Sequence, residues 1–245
     1  MKRSAVGSWI FPGVLTVTAA AAVAAQSGTG PTGLWVFLVV LGGWMVTLCL
    51  HEFAHAVVAL ACGDTSVRAR GYLTLNPLRY TNATYSFVIP LILLAVGGIP
   101  LPGGAVLVEP HRFRKVWYAT LVSLAGPLTN ALAGVVLAAA SAGLASPLGA
   151  ALQFLALLQF VTAVLNLLPV PGFDGFGALE PYLAPATKAR IAPIRPWAPL
   201  LLFVVLFSVP QVSGVLFDAG AWLLSAAGGS QYLAAVGQSL FRFWA

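Results

Sequence analysis

The run His51-Glu52-Phe53-Ala54-His55 sets two imidazoles four residues apart, with a carboxylate beside the first. On a helix of 3.6 residues per turn the histidines lie one turn apart on one face, so both can reach one metal ion while Glu52 projects next to them. The chemistry such a group supports is hydrolysis. A metal lowers the pKa of a water and polarises a carbonyl, and the carboxylate takes the water's proton and returns it to a leaving amine. A catalytic zinc ordinarily has three protein ligands plus an open position, so the pair requires a third. The remaining candidates are His111, Asp64, Glu109, Asp174, Glu180 and Asp218. Asp174 is preferred, because Pro169-Val170-Pro171-Gly172 breaks the preceding helix and turns the backbone, and Gly175 permits close approach. His111 sits among Arg112, Arg114 and Lys115 and reads as an interfacial surface residue.

The elements that must hold these groups are apolar. Of 245 residues 60% are hydrophobic and 7% charged, with a mean hydropathy of +0.94, whereas soluble domains carry about 25% charged residues. Apolar runs long enough to cross a bilayer recur, and the charge lies between them. An ionisable group near the bilayer centre costs roughly 2.5–3.5 kcal/mol on insertion scales, so His51, Glu52 and His55 together need a compensating interaction, which metal ligation provides. The net charge of +6 is spread in small clusters between apolar runs; it fits membrane topology and not nucleic acid. Cys49 and Cys62 form neither a disulfide framework nor a C-x-x-C knuckle. Histidines one turn apart cannot approach one haem iron from opposite faces.

The expected architecture is an all-α polytopic membrane protein, one membrane-embedded domain over residues 1–245. It has about six transmembrane helices and a re-entrant or short β segment between the second and third. Residues 9–25 fit both an uncleaved span and a signal peptide, the span being preferred. Further apolar stretches cover residues 34–61, 116–144, 148–168, 198–217 and 219–236. An alternating stretch around Tyr72-Leu73-Thr74-Leu75 suggests a short strand or hairpin. Residues 85–101 are apolar but carry Pro90, Gly97, Gly98 and Pro100. A re-entrant path there leaves every Lys and Arg on the cytoplasmic side, with both termini inside, and satisfies the rule that irregular backbone survives at membrane depth only within protein or around water. The second span then holds His51, Glu52 and His55 in its cytoplasmic half, and the fourth delivers Asp174 at its cytoplasmic end.

Three ordered motifs carry a resemblance: His51-Glu52-Phe53-Ala54-His55; Ala125-Gly126-Pro127-Leu128-Thr129-Asn130; and Asn166-Leu167-Leu168-Pro169-Val170-Pro171-Gly172-Phe173-Asp174-Gly175. Together they resemble the site-2 protease family of intramembrane zinc metalloproteases over residues 34–175. The resemblance implies zinc as cofactor, held by His51, His55 and Asp174, with Glu52 as general base. It implies that Asn130 and Asn166 lie close to the site, as substrate or oxyanion partners or as interhelical hydrogen-bonding groups. It also implies a substrate that is itself a membrane protein with a transmembrane helix, a lipid-bilayer setting in a multi-pass cell-membrane protein, and regulated intramembrane proteolysis. The chain has Phe173 where many members have Leu, which keeps the ligand, and has no room for the PDZ module that many bacterial members carry. A metal transporter or sensor using the same His/Asp cluster is the rival; transport has no obligatory need for a base such as Glu52.

Overall fold

The computed structural model describes residues 9–79, 94 and 107–244. The described residues are helical or irregular, without strands. Helix α1 spans Ile10–Ser27 and ends at Gly28, whose φ of 66° is the left-handed conformation of a helix stop. Pro31 then precedes α2, Thr32–Ala61. Gly42 of α2 fits against Thr18, so the two helices run antiparallel.

After the single turn α3, Ser66–Ala69, residues 72–75 form bends and not the expected strand. The chain here turns on local bonds: the Tyr72 N–H donates to the Val67 carbonyl, the Asn76 N–H to Thr74 Oγ1, and the Leu78 N–H to Asn76 Oδ1. The re-entrant expectation for residues 85–101 falls outside the described residues.

Helix α4, Tyr118–Ala140, and helix α5, Pro147–Asn166, form an antiparallel pair. The turn between them ends at Ser146, which caps α5 by accepting from the Gly149 N–H, with Pro147 at the first helical position. Helix α5 is the axis of the bundle: 78% of its apolar window is buried, against 11–39% in α1, α2 and α4. Small residues let neighbours approach it. Gly134 of α4 lies on Phe160, and Ala150 and Val161 receive glycines from the C-terminal helices described next.

Beyond α5 lie two short helices, α6 (Asp174–Leu179) and α7 (Pro185–Ile191), and then α8 (Ala198–Ser208), α9 (Pro210–Ala226) and α10 (Gln231–Phe241). The apolar run from residue 198 to 236 does not divide near residue 218 into two spans. It breaks at Val209, which precedes Pro210 and is extended (φ −121°, ψ 92°), and α8 and α9 bend by 96° there. Helix α9 then runs along α5, with Leu216 against Val161 and Leu165, and Gly220 on Val161. Helix α10, about 16 Å long by its rise, is too short to cross a bilayer. It lies against α5 and α2, with Gly237 on Ala150 and Phe241 stacked on Phe37 at 5.2 Å.

Phe243 packs on Gly33, so the C-terminal residues sit at the α1–α2 turn, the end of the bundle remote from His51 and His55. The first described residues, at the start of α1, lie at the opposite end of that helix from this turn. Among the described residues, helices α1, α2, α4 and α5 are long and apolar enough to cross a membrane, and the bent α8–α9 pair makes up to five.

Candidate metal centre

His51 lies 19 residues into α2, roughly 29 Å along its axis at 1.5 Å per residue, close to the thickness of a hydrocarbon core of about 30 Å. His51, Glu52 and His55 are all buried, Glu52 to 2% exposure. They line a cleft of about 940 Å³ that also reaches Asn166 and Asp174.

Asp174 arrives from the far side of the bundle. Gly172, at φ 102°, makes the turn after α5, and α6 begins at Asp174. A Cβ on Gly175 would overlap the Leu167 and Leu168 carbonyls, so only glycine lets α6 fold back onto the end of α5. Thr120 of α4 holds α6 from the other side by donating to the Ala178 carbonyl at 2.8 Å. The close approach expected of Gly175 is thus realised.

The resulting geometry is that of a ligand set. His51 Nε2 and His55 Nε2 are 3.1 Å apart, and they lie 3.3 and 3.5 Å from Asp174 Oδ2 and Oδ1 respectively. All three groups fall within 4.8 Å of one another. A tetrahedral centre with bonds of about 2.0–2.1 Å has edges of roughly 3.3–3.4 Å. His55 Nδ1 donates to the Val122 carbonyl at 2.7 Å, and a carbonyl can only accept, so in the neutral ring Nε2 carries the lone pair. Lone pairs converging on one point are satisfied by a cation, and the residues fit zinc.

Helix α4 presses directly on this group. A methyl at Gly126 would overlap both Nε2 atoms, which explains why glycine stands in the middle of that helix. The following Pro127 has no N–H to offer the Ser123 carbonyl, and Ser123 lines the cleft.

The two asparagines differ in placement. Asn166 borders the cleft. Asn130 is buried at 3% exposure, with Oδ1 on His51 Nδ1 and Nδ2 donating to Gln159 Oε1 at 2.7 Å. Gln159 lies outside the three sequence motifs. Its signal was available: it stands seven residues before Asn166, two turns away on the same face of an apolar helix, where a polar side chain is costly.

Among the other acids, Glu180 also borders the cleft but pairs with Arg195 at 2.8 Å. Asp64 and Glu109 build the rim. Asp64, fully buried, accepts from the Ser66 N–H at 2.9 Å and the Glu109 N–H at 2.8 Å, with Arg112 at 3.9 Å. Burial pushes the Asp64 pKa up, but these donors and the Arg112 charge outweigh it, and the net direction is down. The hydrogen bond from Arg112, followed by the charges of Arg112 and Arg70, lowers the Glu109 pKa. The clamp fixes Leu107, Val108 and Pro110 as one wall of the cleft. His111 is exposed, as its charged neighbours suggested, and lies 3.5 Å from Glu109.

Comparison with known proteins extends over the whole chain. It is 45% identical over 251 residues to "Putative zinc metalloprotease Rip2" of Mycobacterium tuberculosis, covering 99% of this chain and 96% of the relative. The Rip2 of Mycolicibacterium smegmatis is 41% identical over 252 residues, covering 100% and 96%. "Putative zinc metalloprotease YwhC" of Bacillus subtilis is 32% identical over 203 residues, covering 76% of this chain and 87% of the relative. No family model and no solved structure matches.

Proposed function

The chain belongs to the site-2 protease family of zinc metalloproteases, and on that premise we propose that it cuts membrane-anchored regulatory proteins within or near a transmembrane segment. In this reading His51, His55 and Asp174 are the zinc ligands, Glu52 is the general base, and Asn166 holds substrate. The observation that carries it is the convergence of two helical histidines and an aspartate from a distant segment on one cleft, with the buried Glu52 beside them.

When bound, zinc supplies Lewis acidity, which lowers the pKa of a water and polarises the scissile carbonyl. Glu52 takes a proton from the attacking water and returns it to the leaving amine. Asn166 borders the same cleft, so its amide is available to a substrate carbonyl or its oxyanion. Glu52 also speaks against the metal transporter or sensor, which has no obligatory need for a base beside its ligands.

The topology belongs to the same proposal. The chain is a single membrane-embedded unit, multi-pass in the cell membrane, with five crossings: α1, α2, α4, α5 and the bent α8–α9 pair. Lys and Arg residues from Arg68 to Arg195 flank the site end of these helices, which makes that end cytoplasmic. The C-terminal residues, packed at Gly33, are then external.

The test is cleavage of a panel of single-span peptides against soluble peptides by purified, reconstituted protein. Samples are zinc-loaded, chelated and reloaded. Zinc-dependent cleavage confined to the single-span peptides is expected; equal or exclusive cleavage of the soluble ones would refute the substrate assignment. Asp174→Ala should lower zinc retention, and a fully loaded variant would move the third ligand to Glu180.

A further inference from the structure

His51 and His55 are oriented by different kinds of partner. His55 Nδ1 faces a backbone carbonyl, an obligatory acceptor. His51 Nδ1 faces a side-chain amide, Asn130, which presents an acceptor on one side and a donor on the other. If the Asn130 amide turned over, its NH2 would face His51 Nδ1. The ring proton would then be driven to Nε2, the atom that points at His55 and Asp174.

What holds the amide the productive way is Gln159. Its Oε1 accepts from Asn130 Nδ2 at 2.7 Å, and that keeps Asn130 Oδ1 toward His51. Gln159 is fully buried, so no bulk water substitutes for it. Its Nε2 has no hydrogen-bond partner among the described residues, although an unmet buried donor is costly. In this orientation Gln159 meets the Asn130 donor and leaves its own unmet.

We propose that Gln159 is a positioning residue that acts through Asn130 to fix the tautomer and ring orientation of His51 as a zinc ligand. The proposal rests on the reading of His51 as a ligand. Groups that orient a metal-bound histidine typically alter metal affinity or activity by about 10- to 100-fold when removed.

The experiment measures zinc affinity by chelator competition, and the visible spectrum of the cobalt-substituted protein, on reconstituted full-length chain. Gln159→Leu removes the acceptor and should weaken zinc by roughly tenfold or more, with an altered cobalt spectrum. Gln159→Glu keeps an acceptor toward Asn130 and should stay near the parent. Asn130→Asp presents oxygen to His51 whichever way it turns, so adding Gln159→Leu to it should cost no further zinc affinity.

A Gln159→Leu protein that binds zinc within twofold of the parent with an unchanged spectrum would overturn the proposal. So would an equal loss from Gln159→Leu in the parent and Asn130→Asp backgrounds, which would mark a packing effect. If Gln159→Leu does not fold, Gln159→Glu decides: a tenfold loss there also overturns it. His51→Ala separates this from the underlying reading, since undiminished zinc binding in that variant would remove His51 from the ligand set altogether.

Discussion

Two glutamines are buried in the central helix α5, and they serve the two ends of the bundle differently. Gln153, at the end near the α1–α2 turn, uses both ends of its amide. Its Nε2 donates to Ser141 Oγ at 3.0 Å and to the Ala138 carbonyl at 3.3 Å, while Oε1 accepts from the Ser230 N–H at 3.0 Å. It ties the α4–α5 turn to the start of α10. Gln159, less than two turns along, satisfies Asn130 and has no partner for its Nε2 among the described residues. The contrast separates an end built for packing, where every buried side-chain polar atom among the described residues has a partner, from an end where a polar valence is left open next to the network of His51.

The sharpest way to break the comparison is at Glu52. Glu52→Gln keeps size and burial but removes the base, so peptide cleavage should fall by roughly 10²- to 10⁴-fold while zinc content and thermal stability stay with the parent. Cleavage at the parental rate would take the chemistry away from this end of the bundle.

Next in size is Gly126→Ala. The added methyl falls on the ligand nitrogens, and overpacking of about 1–3 kcal/mol corresponds to a loss on the order of 10- to 100-fold in zinc affinity. Metal titration reads it directly. A Gly126→Ala chain that loads zinc like the parent would contradict the packing of α4 on the histidines.

Gln153→Leu should do the opposite. It leaves the Ser230 N–H and Ser141 Oγ without their buried partner, a cost of about 1–3 kcal/mol. Thermal unfolding in detergent should detect this, with zinc affinity per folded molecule unchanged. A zinc defect in this variant would erase the division between the two ends.

The smallest effect is on the rim. The folded-state pKa values of Asp64 and Glu109 lie below their ordinary ones. The clamp therefore contributes fully above the ordinary carboxylate range and is lost as pH falls through the depressed values. Hydrogen exchange in residues 107–113 should stay slow at neutral and mildly acid pH and quicken only below that range. The Gln153 network contains no titratable group, so exchange around residues 141 and 230 should show no such onset; a shared onset would point to global unfolding.

Much of the site was legible before any fold was known. The spacing of His51 and His55 specifies one helical face, and Pro169 through Gly175 specifies a turn that can present Asp174. Gly126 was visible only as part of a motif; that its missing Cβ makes room for two imidazoles is a property of the α4–α2 contact. Gln159 carried a signal in its cost within an apolar helix, yet nothing in the chain says which histidine its partner orients. The helix break within the C-terminal run was not legible because hydropathy averages over Pro210. The length of an apolar stretch counts crossings only when the backbone is continuous, and the residue before a proline is pushed out of the helical region.

By itself, then, the sequence determined the solvent, the helical class and the chemistry of the ligand set, because composition and helical periodicity are local properties. The tertiary structure decided which groups meet: Asp174 with the histidines, Asn130 with His51 and not in the cleft, Phe243 with Gly33 at the remote end. These depend on helix direction and on close approach at glycines, and such contacts join residues far apart in the chain whose pairing no local pattern encodes.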